Sequence, residues 1–301
     1  MVKGRFAPSP SGRMHLGNVF TALIAWLSVR EQDGTMVLRI EDLDPDRCKA
    51  AYAEQLKDDL RWLGLDWDEE TAPQSLRSEA YREQFEKLAR MGLVYPCYCT
   101  RSELHDASAP HASDGNPIYS GRCKALSAED RARQTRTPAW RLCVPERDIS
   151  FVDGLQGSYR EQLAKDCGDF IIRRSDGVYA YQLAVVTDDA ANGITEVVRG
   201  SDLLSSTPRQ LYLYELLGLR APQFFHVPLL VTKQGVRLSK RDRAVDLSYL
   251  RTVDTPEDIF GQLAFAVGLT EKNEPISLPE LLKVFSREKL MGKREIVIGQ
   301  R

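Results

Sequence analysis

The first forty residues contain a strand, helix, strand unit, and this unit limits the possible folds more than any other feature. Residues 4–8 predict a short strand, residues 16–30 carry apolar side chains at helical spacing, and residues 36–40 are an apolar strand. Such a unit implies a parallel sheet with a right-handed crossover, and a ligand site at the carboxyl ends of its strands. The first loop and Glu41 both fall at that edge.

The remaining pattern agrees with an α/β chain that has an insertion. Amphipathic helices are predicted at 51–63 and 79–91, and a loop-rich stretch follows at 95–124. Two β-rich runs at 169–183 flank Ser175-Asp176-Gly177, which predicts a hairpin. A strand, a helix and a second strand are predicted next, at 196–199, 208–217 and 227–231. The tail from residue 255 is mostly helical in pattern, with prolines near the helix starts.

The fold class is therefore α/β, a Rossmann-type parallel-sheet catalytic domain with an inserted segment and a short helical C-terminal region. We expect four segments: the first half of the catalytic domain at 1–94, the insertion at 95–180, the second half at 181–250, and the helical end at 251–301.

Composition excludes several classes of protein. With 301 residues, 43% hydrophobic and 28% charged, the chain can bury a sizeable core. A formal charge of −2 gives no general attraction to nucleic acid, so any such contact must be local. Residues 19–29 are the longest apolar stretch, short of the roughly 18 residues that a membrane span needs, and no signal peptide is evident, which predicts a cytoplasmic protein.

The first motif with chemical meaning runs from Arg5 to Asn18, a loop with two glycines that leads into a helix start. It has neither a Walker A nor a G-x-G-x-x-G pattern, so a nucleotide would bind through the helix N-terminus and His15. Taken alone, His15-Leu-Gly17 could equally be an ordinary strand-to-helix connection with a surface histidine.

The second motif is residues 235–241, Gly-Val-Arg-Leu-Ser-Lys-Arg, which follows an apolar strand. Lys240 in a glycine-containing loop can offset the charge of a pyrophosphate leaving group. Taken alone, this segment could also be any basic surface loop.

Together, the two motifs resemble the His-Ile-Gly-His and Lys-Met-Ser-Lys-Ser signatures of class I aminoacyl-tRNA synthetases, in the same order. Three longer strings resemble the glutamyl and glutaminyl branch: residues 5–12, 39–44 and 185–189. The resemblance covers about residues 2–251. It implies that His15, Gly17 and Asn18 contact the ATP phosphates and that Ser239 and Lys240 hold the triphosphate, with His15, Gly17 and Lys240 as the catalytic set. The sequence departs from the family at Asn18, where the signature has His, and in Arg-Leu-Ser-Lys-Arg.

Glutamate chemistry supports the same interpretation, because an amino dicarboxylate needs two cationic partners and one anion. Arg5, Arg199 and Glu41 supply that set, although Glu41 and Arg199 outside this context would be read as a surface ion pair. The family resemblance adds three further residues to the amino-acid pocket: Ala7, Ser9 and Tyr181.

Three cysteines in the insertion, Cys97, Cys99 and Cys123, predict one structural zinc ion. The fourth ligand is Tyr119 by resemblance to the shorter members of the family, whereas coordination chemistry would ordinarily prefer a histidine, His105 or His111. Cysteines without metal are the other alternative, because Cys-x-Cys is less diagnostic than Cys-x-x-Cys.

Only about fifty residues follow the Lys240 loop, too few for the usual anticodon-binding domain. Short chains of this kind resemble the glutamyl-queuosine tRNA(Asp) synthetases. That resemblance implies an enzyme that uses ATP, with Mg²⁺, to activate L-glutamate and transfers it to queuosine at the wobble position of tRNA(Asp). We expect a monomer, although the sequence does not determine the oligomeric state. Two alternatives are a truncated or split glutamyl-tRNA synthetase that charges the 3′ end of tRNA(Glu), and a non-catalytic RNA-binding paralogue.

Overall fold

A computed structural model describes residues 1–100, 103, 118–238 and 246–299. Within these ranges the strands are β1 (Lys3–Phe6), β2 (Thr35–Leu38), β3 (Glu69–Glu70), β4 (Val94–Cys97), β5 (Ala139–Leu142), β6 (Asp148–Asp153), β7 (Gly157–Gln162), β8 (Phe170–Arg173), β9 (Glu196–Gly200), β10 (Gln223–Val227), β11 (Leu229–Val231) and β12 (Glu295–Val297). The α-helices are α1 (Leu16–Arg30), α2 (Ala50–Trp62), α3 (Ser78–Arg90), α4 (Ala128–Ala132), α5 (Leu163–Asp166), α6 (Tyr181–Ala191), α7 (Thr207–Leu217), α8 (Leu247–Val253), α9 (Pro256–Val267) and α10 (Leu278–Val284). Short 3₁₀ helices occupy Gln74–Leu76, Ser201–Ser206 and Arg287–Leu290.

The main sheet has five strands in the order β10-β9-β1-β2-β3, and every neighbouring pair is parallel. The chain runs outward from β1 to β3, leaves the sheet, and returns on the other side of β1 as β9 and β10. The strand order therefore reverses between β1 and β9, which is where open α/β sheets bind ligands. The predicted α/β fold with a Rossmann-type parallel sheet is confirmed.

Helix α1 is buried on most sides, because it lies between the sheet and the C-terminal helices. It contacts β1, β2 and β9, and ten of its fifteen residues are buried. The apolar cluster that contains α1 also includes Leu250, Phe260 and Leu281 from α8, α9 and α10. The C-terminal helices thus share one apolar core with α1.

The inserted region forms a separate three-stranded antiparallel sheet, β4-β5-β8. The antiparallel hairpin β6–β7 lies between β5 and β8 in the sequence. The predicted hairpin around residues 169–183 is wrong in its second arm. There Tyr179 makes only an isolated bridge to Arg173, and Tyr181 begins α6. Residues 183–189 of α6 are all buried, and the first four are apolar in succession, so the sequence lacks the spacing by which an amphipathic helix is recognised. The four-segment division of the chain stays a prediction.

Candidate active site at the sheet switch point

A cavity of about 880 Å³ opens at the carboxyl ends of β1, β2 and β9. Its lining includes every described residue that the sequence predicted for substrate binding: Arg5, Ala7, Ser9, His15, Gly17, Asn18, Glu41, Tyr181 and Arg199. Two predicted residues, Ser239 and Lys240, lie outside the described residues. The structure therefore brings together residues that are up to 194 positions apart in the sequence.

Glu41 reaches the cavity because the chain stays extended after β2. The backbone N–H of Arg39 donates to Phe6 O at 3.1 Å, and that of Glu41 donates to Pro8 O at 3.0 Å. Alternate residues of an extended chain share one face, so the two side chains meet, with Arg39 Nη2 3.0 Å from Glu41 Oε1. Burial raises the pKa of Glu41, while the charges of Arg39 and Arg5 act to lower it. A cationic group in the cavity would stabilise this buried carboxylate further.

Arg39 and Asp189 form a buried ion pair next to Glu41, and neither residue belongs to the predicted substrate-binding set. Arg39 Nη1 lies 2.6 Å from Asp189 Oδ1, and Arg5 Nε lies 3.6 Å from the same oxygen. Arg39 therefore links Asp189, which contacts Arg5, to Glu41, which lines the cavity. The sequence held one indication of this contact. Arg39 and Glu41 are two residues apart at the end of a predicted strand, so their side chains are expected on the same face.

Arg199 lies at the end of β9 and is held on two of its three guanidinium nitrogens. Nε donates to His226 Nε2 at 3.0 Å, and Nη2 donates to Thr207 Oγ1 at 2.8 Å. Among the described residues Nη1 has no hydrogen-bond acceptor, although it is buried. Burial is the main reason that the pKa of Arg199 is lowered, and the charge of Arg5 adds to it. An anion beside Nη1 would satisfy both the missing hydrogen bond and the excess positive charge.

His15 caps the N-terminus of α1 by a reciprocal pair of hydrogen bonds. Its Nδ1 accepts from the Gly17 N–H at 3.1 Å, and Asn18 Oδ1 accepts from the His15 N–H at 3.2 Å. Because Nδ1 is an acceptor, the neutral ring carries its proton on Nε2. The site thus combines an imidazole N–H with the partial positive charge of a helix N-terminus, a suitable arrangement for phosphate oxygens.

The three predicted cysteines of the insertion lie together. Their Sγ atoms are all within 4.8 Å of one another, and the Tyr119 hydroxyl oxygen is 3.6 Å from Cys97 Sγ. Tetrahedral zinc with bonds of about 2.3 Å implies sulfur pairs about 3.8 Å apart, and Cys99 Sγ is 3.5 Å from Cys123 Sγ. His105 and His111 lie outside the described residues. The donor set therefore fits a metal ion.

The protonation of this cluster without a metal ion is set by burial and by the neighbouring charges. Burial and the neighbouring sulfurs raise the pKa of Cys99 to about 12, because a second thiolate is unfavourable next to the first. Burial also acts to raise the pKa of Cys97, but the Arg141 guanidinium outweighs it and the net direction is down. A metal ion would remove the repulsion that keeps Cys99 protonated.

Within the described residues, no helix combines the length and the apolarity that crossing a membrane would require.

Known proteins resemble this chain over almost all of its length. The family model for the catalytic domain of class I tRNA synthetases (E and Q) matches residues 1–300. A glutamyl-Q tRNA(Asp) synthetase of Nitratidesulfovibrio vulgaris is 49% identical over 282 residues, covering 89% of this chain and 87% of the relative. The enzyme of that name from Symbiobacterium thermophilum is 48% identical over 300 residues, covering 95% and 92%.

Solved structures show the same fold. A glutamate tRNA ligase from Elizabethkingia meningosepticum, crystallised with its amino acid, superimposes with a TM-score of 0.83 at 27% identity. The superposition covers 100% of this chain and 67% of the ligase.

Proposed function

The chain belongs to the class I tRNA synthetases of the E and Q type, and within them to the glutamyl-Q tRNA(Asp) synthetases, and on this premise we propose that it activates L-glutamate with ATP and transfers it to queuosine in tRNA(Asp). The observation that carries the proposal is the set of charges in the cavity. Two arginines, Arg5 and Arg199, and one buried carboxylate, Glu41, line the same space. This is the complement of an amino dicarboxylate.

In the proposed glutamate complex, Arg5 and Arg199 bind the two carboxylates and Glu41 binds the ammonium group. Ala7, Ser9 and Tyr181 line the same pocket. Support comes from the buried Nη1 of Arg199, for which the described residues offer no acceptor. The raised pKa of Glu41 points the same way, since burial keeps its charge costly even beside Arg39 and Arg5, and a further cation would offset that cost.

ATP would lie beside the N-terminus of α1, with His15 and Gly17 at the phosphates and Asn18 completing the helix cap. Ser239 and Lys240 are proposed to hold the β- and γ-phosphates on the strength of their motif. ATP enters with Mg²⁺, which neutralises part of the phosphate charge. Helix N-termini favour negative charge, and more so as charge develops in a transition state.

The reaction needs orientation and charge stabilisation, and no nucleophile from the protein. A carboxylate oxygen of glutamate attacks the α-phosphorus of ATP in line, the bond to the bridging oxygen of the β-phosphate breaks, and pyrophosphate leaves. A hydroxyl of the acceptor then attacks the carbonyl carbon of glutamyl-adenylate, and AMP leaves. Holding the reactants in line is the main contribution expected of the pocket.

We further propose that the inserted segment holds one structural zinc ion. Cys97, Cys99 and Cys123 would supply sulfur ligands, and the Tyr119 oxygen the fourth ligand. A sulfur-rich set of four protein ligands is typical of structural and not catalytic zinc.

One experiment separates the acceptors. The protein is incubated with ATP and labelled glutamate together with tRNA(Asp) that contains queuosine, tRNA(Asp) that lacks it, or tRNA(Glu). We expect label only on the tRNA(Asp) that contains queuosine. Label confined to tRNA(Glu) would instead identify a glutamyl-tRNA synthetase. Absence of glutamate-dependent exchange between ATP and pyrophosphate, with and without tRNA, would point to a non-catalytic paralogue.

A further inference from the structure

A buried aspartate and histidine stand behind Arg199, and none of the sequence motifs includes them. Asp153 ends β6 and His226 lies in β10, and the side chains of both are fully buried. Asp153 Oδ1 accepts three backbone N–H groups, those of Leu155 at 3.0 Å, Gln156 at 2.9 Å and His226 at 3.1 Å. Its other oxygen, Oδ2, lies 2.6 Å from His226 Nδ1. The carboxylate is therefore fixed in one orientation, and it requires a proton on Nδ1.

The proton on Nδ1 makes the other ring nitrogen, Nε2, a hydrogen-bond acceptor. With Nδ1 protonated, Nε2 of the neutral ring carries a lone pair, and it lies 3.0 Å from the Nε of Arg199, which donates to it. Thr207 Oγ1 lies 3.3 Å from the same nitrogen and accepts from Arg199 Nη2 at 2.8 Å. The guanidinium is thereby fixed along one edge, and its Nη1 is left without an acceptor among the described residues.

The imidazole stays neutral for a physical reason. Burial, together with the adjacent charge of Arg199, lowers the pKa of His226 to about 4, although Asp153 acts to raise it. A protonated ring would direct an N–H at the N–H of Arg199 and place two positive charges side by side. Because the group that touches Arg199 is a neutral acceptor and not a carboxylate, Arg199 is oriented without losing its charge.

The hydrogen bonds join Thr207, His226 and Asp153 in the order of a catalytic triad, but these residues cannot act as a catalytic triad. Thr207 is fully buried, and its hydroxyl oxygen already accepts from Arg199. An activated nucleophile must reach its substrate. The arrangement points to positioning.

We propose that His226 and Asp153 are positioning residues that fix Arg199 in the orientation and charge state in which it binds a carboxylate of the substrate. The proposal rests on the proposed function, since it assumes that glutamate is the ligand of Arg199.

A pair of amide substitutions tests it. In His226→Gln the amide can reach the position of Nε2 and still accept from Arg199, whereas in His226→Asn it reaches only the position of Nδ1. In pyrophosphate exchange we expect His226→Asn to raise the KM for glutamate at least about ten-fold, the equivalent of one lost hydrogen bond to a charged group. The KM for ATP should stay within about two-fold, and His226→Gln should recover most of the loss.

Asp153→Asn probes the proton itself. The new amide nitrogen takes the place of Oδ2, because Oδ1 is held by three N–H donors. It would donate to Nδ1 and force the ring proton onto Nε2, opposite the Arg199 N–H. We expect a rise in the glutamate KM at least as large as for His226→Asn.

Ser28→Ala serves as the matched control for general loss of stability. Ser28 is buried and hydrogen bonded to Glu196 at the start of β9, whereas the cavity lies at the end of that strand. We expect it to lower the melting temperature and to leave the glutamate KM unchanged. Equal glutamate KM values for wild type, His226→Asn and His226→Gln, or parallel rises in the KM for glutamate and ATP, would overturn the proposal.

Two measurements on the wild-type protein keep the proposal testable if the variants do not fold. ¹⁵N NMR of the histidine-labelled protein, with four histidines in all, should show one neutral ring protonated on Nδ1 that does not titrate between pH 8 and pH 5. If no ring behaves in this way, the proposal is wrong. Calorimetric titration with glutamate separates the two levels of inference, because a wild-type protein that neither binds glutamate nor catalyses exchange contradicts the proposed function itself.

Discussion

Replacing Arg39 by methionine should destabilise the protein far more than the loss of an ordinary arginine. Arg39 is fully buried, and it contacts Asp189 at 2.6 Å, Glu41 at 3.0 Å and Asp188 at 4.0 Å. Asp188 keeps other partners, among them Arg77 at 2.5 Å and the Tyr81 hydroxyl at 2.8 Å. The loss therefore falls on Glu41 and Asp189.

Methionine fills a similar volume without charge, so Arg39→Met removes the cation that contacts both buried carboxylates, and the charges of Arg5 and Arg199 remain at longer range. Removing one partner from a buried ionic group typically costs about 3–5 kcal/mol, and we expect a loss in this range. The assay is urea unfolding at pH 8 with the slope held common to wild type and variant. The control is Arg82→Met, whose partners Glu79 and Glu86 are exposed and water-screened, so that its loss should be much smaller.

The same variant should respond to pH. Without Arg39 the pKa of Glu41, already raised by burial, rises further above its unfolded value. The folded variant then takes up a proton at a pH where the wild type does not, so its deficit is largest above that pKa and shrinks as the pH falls toward 5. A loss below about 1 kcal/mol, or a deficit equal at pH 5 and pH 8, would refute a role for Arg39 as the counter-charge of Glu41 and Asp189.

Four further outcomes are expected. In Gly17→Ala the new Cβ would lie 2.9 Å from Cε1 of His15, so the ring must move; kcat/KM for ATP in exchange should fall at least about ten-fold while glutamate affinity measured by calorimetry is unchanged. Lys240→Ala should impair adenylate formation much more than glutamate binding, and equal loss of both would contradict its assignment to the triphosphate. Cys97→Ser should lower the zinc content measured by mass spectrometry and destabilise the insertion, whereas unchanged zinc would exclude this ligand. Because the pKa of His226 falls from 6.5 to about 4 on folding, stability should decrease by roughly 3 kcal/mol as the pH falls from 6.5 to 4, and His226→Gln should lack this component of the pH dependence in unfolding titrations.

Local pattern was enough to predict much of the fold. The first helix was predicted with the bounds that the structure shows, Leu16–Arg30, because its apolar spacing ends at a clear break. The prediction was less accurate for α6, where burial hides the pattern of an amphipathic helix. It was also less accurate for short strands, whose partner strands come from distant parts of the chain. The strand predicted at 227–231 contains β11, Leu229–Val231, whereas β10, Gln223–Val227, was not predicted.

The sequence by itself determined the chemistry that the chain can offer: the helix start with His15, the charges of Arg5, Glu41 and Arg199, and the three clustered cysteines. These signals are local or belong to recognisable motifs. Only the tertiary structure decided which groups hold those residues in place. Arg39 meets Asp189 across 150 positions, because α6 packs beside the end of β2, and Asp153 meets His226 across 73, because β6 packs against β10. Buried charges must find partners wherever the fold places them, and no periodicity in the chain encodes that choice.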